Sequence, residues 1–217
     1  MSLSAGAFVG ALLSFGLVML LSHSLGASMD RVVLSGVAAM QLFSALTSFT
    51  VLTSADAETT KGVLFWLLGS LSGADWGQVL LCAGALALVL VVCLGHASTL
   101  DAFAFGEEAA AGLGVNVARA RLILLCATAL LTAVLVSCAG AIGFVGLVLP
   151  HVTRALTGPG HVRLLPVTVL TGAVFLVWVD TLARTVVDPQ EVPVGVVTSL
   201  MGVPAFVVVL HRGRRKA

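Results

Sequence analysis

Apolar runs of about 20 residues, separated by short polar stretches, fill this 217-residue chain. A helix of that length just crosses the roughly 30 Å hydrocarbon core of a bilayer. Seven runs stand out, over residues 3–21, 31–53, 77–95, 122–138, 143–156, 164–182 and 192–210. Composition leads to the same solvent. Hydrophobic residues make up 59% and charged residues 10%, with a mean hydropathy of +1.13. A soluble domain carries about 25% charged residues. A chain of this size cannot hide so much apolar surface in one core. An ordinary soluble enzyme, a disordered chain and a nucleic-acid binder are thereby excluded. The expected fold is all-α, one polytopic membrane domain over residues 1–217 with about seven transmembrane helices.

The first run lacks a basic leader and an A-x-A cleavage site, so it reads as a mature helix rather than a signal peptide. Residues 62–70 are too short to span and end in the breaker cluster Gly69-Ser70-Leu71-Ser72-Gly73. They predict an interfacial or re-entrant helix, with Trp66 and Trp76 at headgroup level. Gly140, Gly143, Gly146 and Pro150 make the fifth run short and easily broken.

Lys and Arg collect in cytoplasmic loops. With the basic tail (His211 to Ala217) inside, alternation over seven spans places Arg31, Arg119, Arg121, Arg154, Arg163, Arg212, Arg214, Arg215 and Lys216 inside. Only Lys61 and Arg184 fall outside. The same alternation puts the N-terminus outside.

Little in the chain suggests covalent chemistry. His151 and Asp180 are the intramembrane candidates, and neither sits in a G-x-S-x-G elbow or an H-E-x-x-H helix. No catalytic site is expected. Cys82, Cys93, Cys126 and Cys138 lie inside apolar runs without C-x-x-C spacing. They read as small buried hydrophobes, with neither a metal nor a disulfide framework.

The longest polar stretch, residues 96–121, is more informative. Residues 105–115 read as a short helix started by Asp101 or a turn at Gly106 and closed by Gly112 or Gly114. Glu107 and Glu108 suit its first turn. It is either a docking element for a soluble partner or a solvated connector. The glycine run at 139–147 is either close helix packing or a broken helix lining a pathway. Gly195 and Gly202, seven apart on one face, read as packing. Asp180 and Arg184 can pair across one turn, and Arg184 could instead meet an acidic partner.

Five blocks occur in order: Gly106-Glu107-Glu108-Ala109-Ala110 with Leu113-Gly114-Val115; Ala139-Gly140-Ala141-Ile142-Gly143-Phe144-Val145-Gly146-Leu147-Val148-Leu149-Pro150-His151; His161-x-Arg163-Leu164-Leu165-Pro166; Asp180-x-x-Ala183-Arg184; and Glu191-Val192-Pro193-Val194-Gly195-Val196-Val197-Thr198 with Gly202-x-Pro204. Together they closely resemble the FecCD family, the ABC-transporter permeases that import iron–siderophore complexes, haem or vitamin B12. Trp66-x-x-Gly69-Ser70 and Trp76 also fit.

The resemblance implies a permease of the bacterial cytoplasmic membrane with a cytoplasmic C-terminus, paired with a second permease subunit, identical or related. It would sit on a cytoplasmic ABC ATPase dimer and receive substrate from an extracytoplasmic binding protein. No cofactor is bound directly, and ATP is used by the partner subunit. Residues 99–120 correspond to the coupling segment, with Gly106, Glu107, Glu108, Ala109, Leu113, Gly114 and Val115 against the ATPase. Arg184 corresponds to the arginine that pairs with a glutamate of the binding protein. Ser28, Met29 and Asp30 fall at the cytoplasmic gate, although Met29 and Asp30 depart from the small hydroxyl residues found there in some relatives. Ser44 and Thr47 on the second span, with Gly143 and Gly146, line the expected pathway. The resemblance also implies about ten helices per subunit, so this chain reads as beginning near the fourth, either through a misplaced start or as a truncated product. A non-transporting remnant of such a permease is the alternative reading.

Overall fold

The computed structural model describes residues 3–24, 29–53, 57–186 and 192–214. Every regular element among them is a helix. Lipid offers no hydrogen bonds to the backbone, so a crossing segment must satisfy its own N–H and C=O groups. The helices are α1 (Leu3–Ser24), α2 (Met29–Thr53), α3 (Ala57–Leu67), α4 (Trp76–Gly95), α5 (Ala97–Phe103), α6 (Glu107–Gly112), α7 (Val117–Ala139), α8 (Val145–Thr157), α9 (His161–Thr185) and α10 (Val194–Arg214). Five are long and apolar enough to cross a membrane: α1, α2, α4, α7 and α9. The remaining two expected spans correspond to α8, of 13 residues, and α10, of 21.

Several boundaries differ from the sequence reading. The helix α3 starts at Ala57 and absorbs the polar residues Glu58 and Lys61. Within 105–115 the expected short helix is α6, which starts after the turn at Gly106 (φ 99°) and ends at Gly112, while Asp101 belongs to the separate helix α5 before that turn. Asn116 caps α7 by accepting from the Arg119 N–H at 3.0 Å, so α7 begins five residues before the expected Leu122. Asp75 caps α4 in the same way through the Gln78 N–H at 2.8 Å, which leaves Trp76 82% exposed at the helix start.

Packing is arranged for lipid. The buried apolar positions are mostly small: Ala39, Ala97, Ala102, Ala110, Ala120, Ala133 and Ala183. Large side chains such as Leu20, Met40 and Val91 face outward. Small residues let helix backbones approach, which is where membrane helices gain contact energy. The helix α1 packs on α2 and α7, α4 on α7 and α9, and α8 on α9 and α10. The hydroxyls of Thr153 in α8 and Thr171 in α9 lie 3.1 Å apart, so that one donates to the other while the acceptor donates to a carbonyl of its own helix, Leu149 or Val167.

The tightest point is a crossing of three backbones. Gly140 (φ 70°) ends α7, Gly69 (φ 73°) follows α3, and Gly195 opens α10. A Cβ on Gly140 would lie 2.1 Å from the Trp66 carbonyl oxygen, and one on Gly195 2.1 Å from that of Leu68. A Cβ on Gly69 would lie 2.6 Å from the Ala141 oxygen. The Ser70 N–H donates to the Ala139 carbonyl at 2.9 Å and satisfies one of the orphan carbonyls at the end of α7. A cluster of Val179, Ala183 and Val194 packs beside this crossing with Leu71 and Ile142.

A second tie joins distant parts of the chain. The Asp101 carboxylate in α5 accepts from the His161 backbone N–H at 3.0 Å and from His161 Nδ1–H at 2.5 Å. The chain therefore leaves the α5 end through α7 and returns to it before α9, which requires two crossings. The return is made by α8 together with the non-helical residues 140–144. Thirteen helical residues rise about 20 Å, short of the roughly 30 Å core, and residues 140–144 supply the remainder.

Two outcomes follow. Gly140→Ala combines a backbone clash with a left-handed φ and should destabilise the protein by about 2–4 kcal/mol. Gly146→Ala, whose Cβ would meet nothing within 4 Å, should stay within about 1 kcal/mol of wild type. Thermal unfolding in detergent compares the two. The bonds from His161 hold the Asp101 carboxyl below its usual range. A depressed folded-state value means that this contribution is present above the unfolded pKa of about 3.9 and is lost as pH falls through the folded value. Amide exchange in the first turn of α9 should therefore speed up in acid for wild type and lose that acid step in Asp101→Asn.

Candidate functional site

The α5–α6 segment is the part of the chain whose exposure has no membrane explanation. Its helices are seven and six residues long. Ala110 is 0% exposed and seats α6, while Ala97 and Ala102 are the buried residues of α5. The turns on either side present Phe105 at 81% exposure and Leu113 at 74%. Gly106, Glu107, Glu108, Ala109 and Gly114 are exposed with them, and Val115 is half-buried. Two large apolar side chains rimmed by carboxylates thus stand exposed together, on a segment too short and polar to enter lipid.

Glu107 already has a partner, since it pairs with Arg121 of α7. This pair holds α6 against α7, and Glu108 is exposed beside it. Sequence reading missed Phe105 as a site residue. Its signal was an aromatic side chain directly before Gly106, in the one long polar stretch of the chain. Reading Asp101 as a helix start also overlooked its bond to His161, 60 residues away, which no local pattern reveals.

Arg184 lies in the last turn of α9. Its Nε donates to Asp180 Oδ2 at 2.9 Å and its Nη2 to Asp180 Oδ1 at 3.3 Å. Both side chains are partly exposed, so the pair sits at the rim and its stabilisation is small. The fork orients the guanidinium at the end of α9 opposite His161. About 23 residues of helix separate them, or about 35 Å.

The residues assigned to a pathway do not meet in one place. Ser28 lies outside the described residues, and Met29 opens α2. Asp30 is exposed in the first turn of α2. Ser44 is exposed, and the half-buried Thr47 donates to the Phe43 carbonyl at 2.8 Å. These two lie about 21–26 Å along α2 from Asp30. Gly143 and Gly146 have open space where a Cβ would be. Gly143 lines a groove of about 320 Å³ together with Leu68, Ala141, Gly195 and Ser199, at the backbone crossing itself. The glycine run thus divides: Gly140 is packing, and Gly143 and Gly146 face space. Gly195 and Gly202 are packing as expected, against Leu68 and Phe144 respectively.

His151 Nδ1 donates to the Leu147 carbonyl at 2.8 Å within its own helix, and Asp180 is occupied by Arg184. Among the described residues no group of His, Cys, Asp and Glu could hold a metal ion. The four cysteines are free.

The basic residues sort by end. Arg119, Arg121, Arg154 and Arg163 belong to helix ends that meet at the α5–α6 side, and the same alternation brings Arg31, Arg212 and Arg214 there. Lys61 and Arg184 belong to the other side.

Comparison with known proteins gives this arrangement a context. The description "FecCD transport family" matches residues 1–212. The chain is 41% identical over 210 residues to the cobalamin import system permease protein BtuC of Halobacterium salinarum, covering 95% of this chain and 54% of that protein. It is 40% identical over 184 residues to the ferric dicitrate transport permease FecD of Escherichia coli, covering 85% and 57%. It is 38% identical over 211 residues to the hemin transport permease HmuU of Yersinia pestis, covering 97% and 63%. The chain therefore spans little more than half the length of these relatives. A solved metal-chelate type ABC transporter in an inward-facing conformation superposes with a TM-score of 0.85 at 31% identity, covering 96% of this chain and 73% of that one. The match runs through all five sequence blocks and the whole helical order, and the chain belongs to the FecCD transport family.

Proposed function

We propose that this chain is the membrane-spanning subunit of an ABC importer for a bulky metal chelate or corrinoid, such as an iron–siderophore complex, haem or vitamin B12. The observation that carries the reading is the Phe105–Leu113 patch on α5–α6, at the end where the basic residues collect. Positive residues favour the cytoplasm, so this end and the C-terminus are cytoplasmic, and the patch is where a soluble ATPase dimer seats. Arg184 is then extracytoplasmic and faces the substrate-binding protein. A second permease subunit completes the membrane unit. The chain does no covalent chemistry, and ATP is consumed by its partner. Nucleotide-driven closure of the ATPase favours one of two arrangements of the bundle, and the pathway opens to either side in turn.

Cargo identity is a matter of surfaces that these residues do not define. Relatives named for cobalamin, ferric dicitrate and hemin are all about 40% identical to this chain. Such unlike cargoes on a common scaffold support selection by the binding protein.

Co-purification with the cognate ATPase tests the patch. Phe105→Asp with Leu113→Asp should weaken assembly about tenfold or more, as loss of an apolar anchor does. Unchanged assembly would remove the docking assignment. Arg184→Ala should weaken binding-protein association about tenfold at low salt and less at high salt. Uptake of defined iron–siderophore, haem and B12 substrates by cells lacking the chromosomal operon identifies the cargo. Assembly without uptake of any of them would favour the non-transporting reading.

A further inference from the structure

The α5–α6 segment has two ties to the membrane helices, and they differ in kind. Glu107 to Arg121 joins α6 to α7, the helix that follows it directly in the chain. Asp101 to His161 joins α5 to α9, across 60 residues. Gly160, the N-cap residue of α9, has no side chain to offer the first N–H groups of that helix. Asp101 supplies the missing cap from another element: one carboxylate oxygen accepts both the His161 N–H and its Nδ1–H. Because a carboxylate only accepts, Nδ1 carries the hydrogen.

At its other end α9 has two further attachments. Val179 and Ala183 are buried in the cluster beside the crossing of Gly69, Gly140 and Gly195. Directly next to them in the chain, Asp180 and Arg184 form the exposed fork. The helix is thus held at one end by the segment that carries the docking patch and at the other by the broken backbone of the bundle.

We propose that Asp101 and His161 are a positioning pair that makes α9 a tie rod between the ATPase-docking segment and the far side of the membrane domain. The pair transmits displacement of α5–α6 to the backbone crossing and to the Arg184 end, while Glu107–Arg121 merely seats α6. The role in coupling rests on the reading of the chain as an importer subunit.

The test uses the reconstituted transporter with its ATPase and binding protein in proteoliposomes. Asp101→Ala should leave ATPase co-purification and ATP hydrolysis within about twofold while uptake per ATP falls about tenfold. Asp101→Asn keeps an acceptor oxygen for both His161 donors and should recover coupling to within about threefold. Rescue by Asn distinguishes positioning from a need for charge. In parallel, spin labels at Glu108 and Val162, in a background without the native cysteines, report the tie itself. Their distance distribution should broaden in Asp101→Ala and stay narrow in Asp101→Asn. Wild-type uptake per ATP in Asp101→Ala, or an unchanged distance distribution, overturns the proposal. If the wild-type chain neither binds an ATPase nor supports uptake, the importer reading fails, and the label distances still decide whether Asp101 holds α9.

Discussion

Three backbones approach one another without side chains between them at Gly69, Gly140 and Gly195, and the bundle is organised around that approach. Open backbone at membrane depth is tolerated only where protein or water covers its polar groups. Here the N–H of Ser70 meets the carbonyl of Ala139, and the Gly140 N–H bonds to Val136 in the last turn of α7. Two of the backbone groups at the break between α7 and α8 are thereby paired within the protein. The break also allows a 13-residue helix to complete a crossing that its length alone would not reach. Any side chain at Gly140 or Gly195 would push the three strands of backbone apart, because the nearest atoms are main-chain oxygens that cannot rotate away.

Polar contacts in this protein gather at its ends rather than its centre. The Asp101–His161 hydrogen bond and the ion pairs Glu107–Arg121 and Asp180–Arg184 all lie at helix termini or in the polar segment. Within the spans, hydroxyls mostly bond to carbonyls of their own helix, as Thr47, Thr128 and Thr168 do. Such bonds satisfy the side chain without fixing one helix against another. Helix-to-helix contact is left to shape and small residues, with Thr153 and Thr171 as an exception. Directional ties at the ends and non-directional packing in the middle let helices shift while their ends remain specified.

Much of this was legible in the sequence because lipid leaves few choices. A run of about 20 apolar residues has to be a helix, so α1, α2, α4, α7 and α9 followed from hydropathy alone. The glycine breakers marked where α3 ends and where α7 and α8 part. The double role of the glycine run was not legible. Gly140, Gly143 and Gly146 share one spacing, yet only Gly140 meets another backbone, and that depends on where residues 66–69 fold back. The split of α5 from α6 depended on one positive φ at Gly106, and glycine alone does not say which sign it will take. Asp101 was the least legible of all. Its partner is 60 residues away, and an aspartate a few residues before Gly106 reads equally well as the start of the helix that follows.

Phe144 shows how the break is held in its present form. It is the one described non-glycine residue at positive φ, 65°, and it opens α8 from the left-handed region. That conformation costs on the order of 1–3 kcal/mol for a residue with a side chain. Gly202 makes it possible, since a Cβ there would lie 2.4 Å from the Phe144 Cβ. The ring closes a small apolar cavity of about 100 Å³ with Val148, Phe175, Thr198 and Met201. Burial of an aromatic ring contributes a few kcal/mol, enough to offset the strained backbone. The pairing of Phe144 with Gly202 thus couples the break after α7 to the middle of α10 through packing, with no polar bond to fix it. Phe175 of α9 lines the same cavity, so the helix tied to Asp101 at one end comes beside the strained residue at its middle.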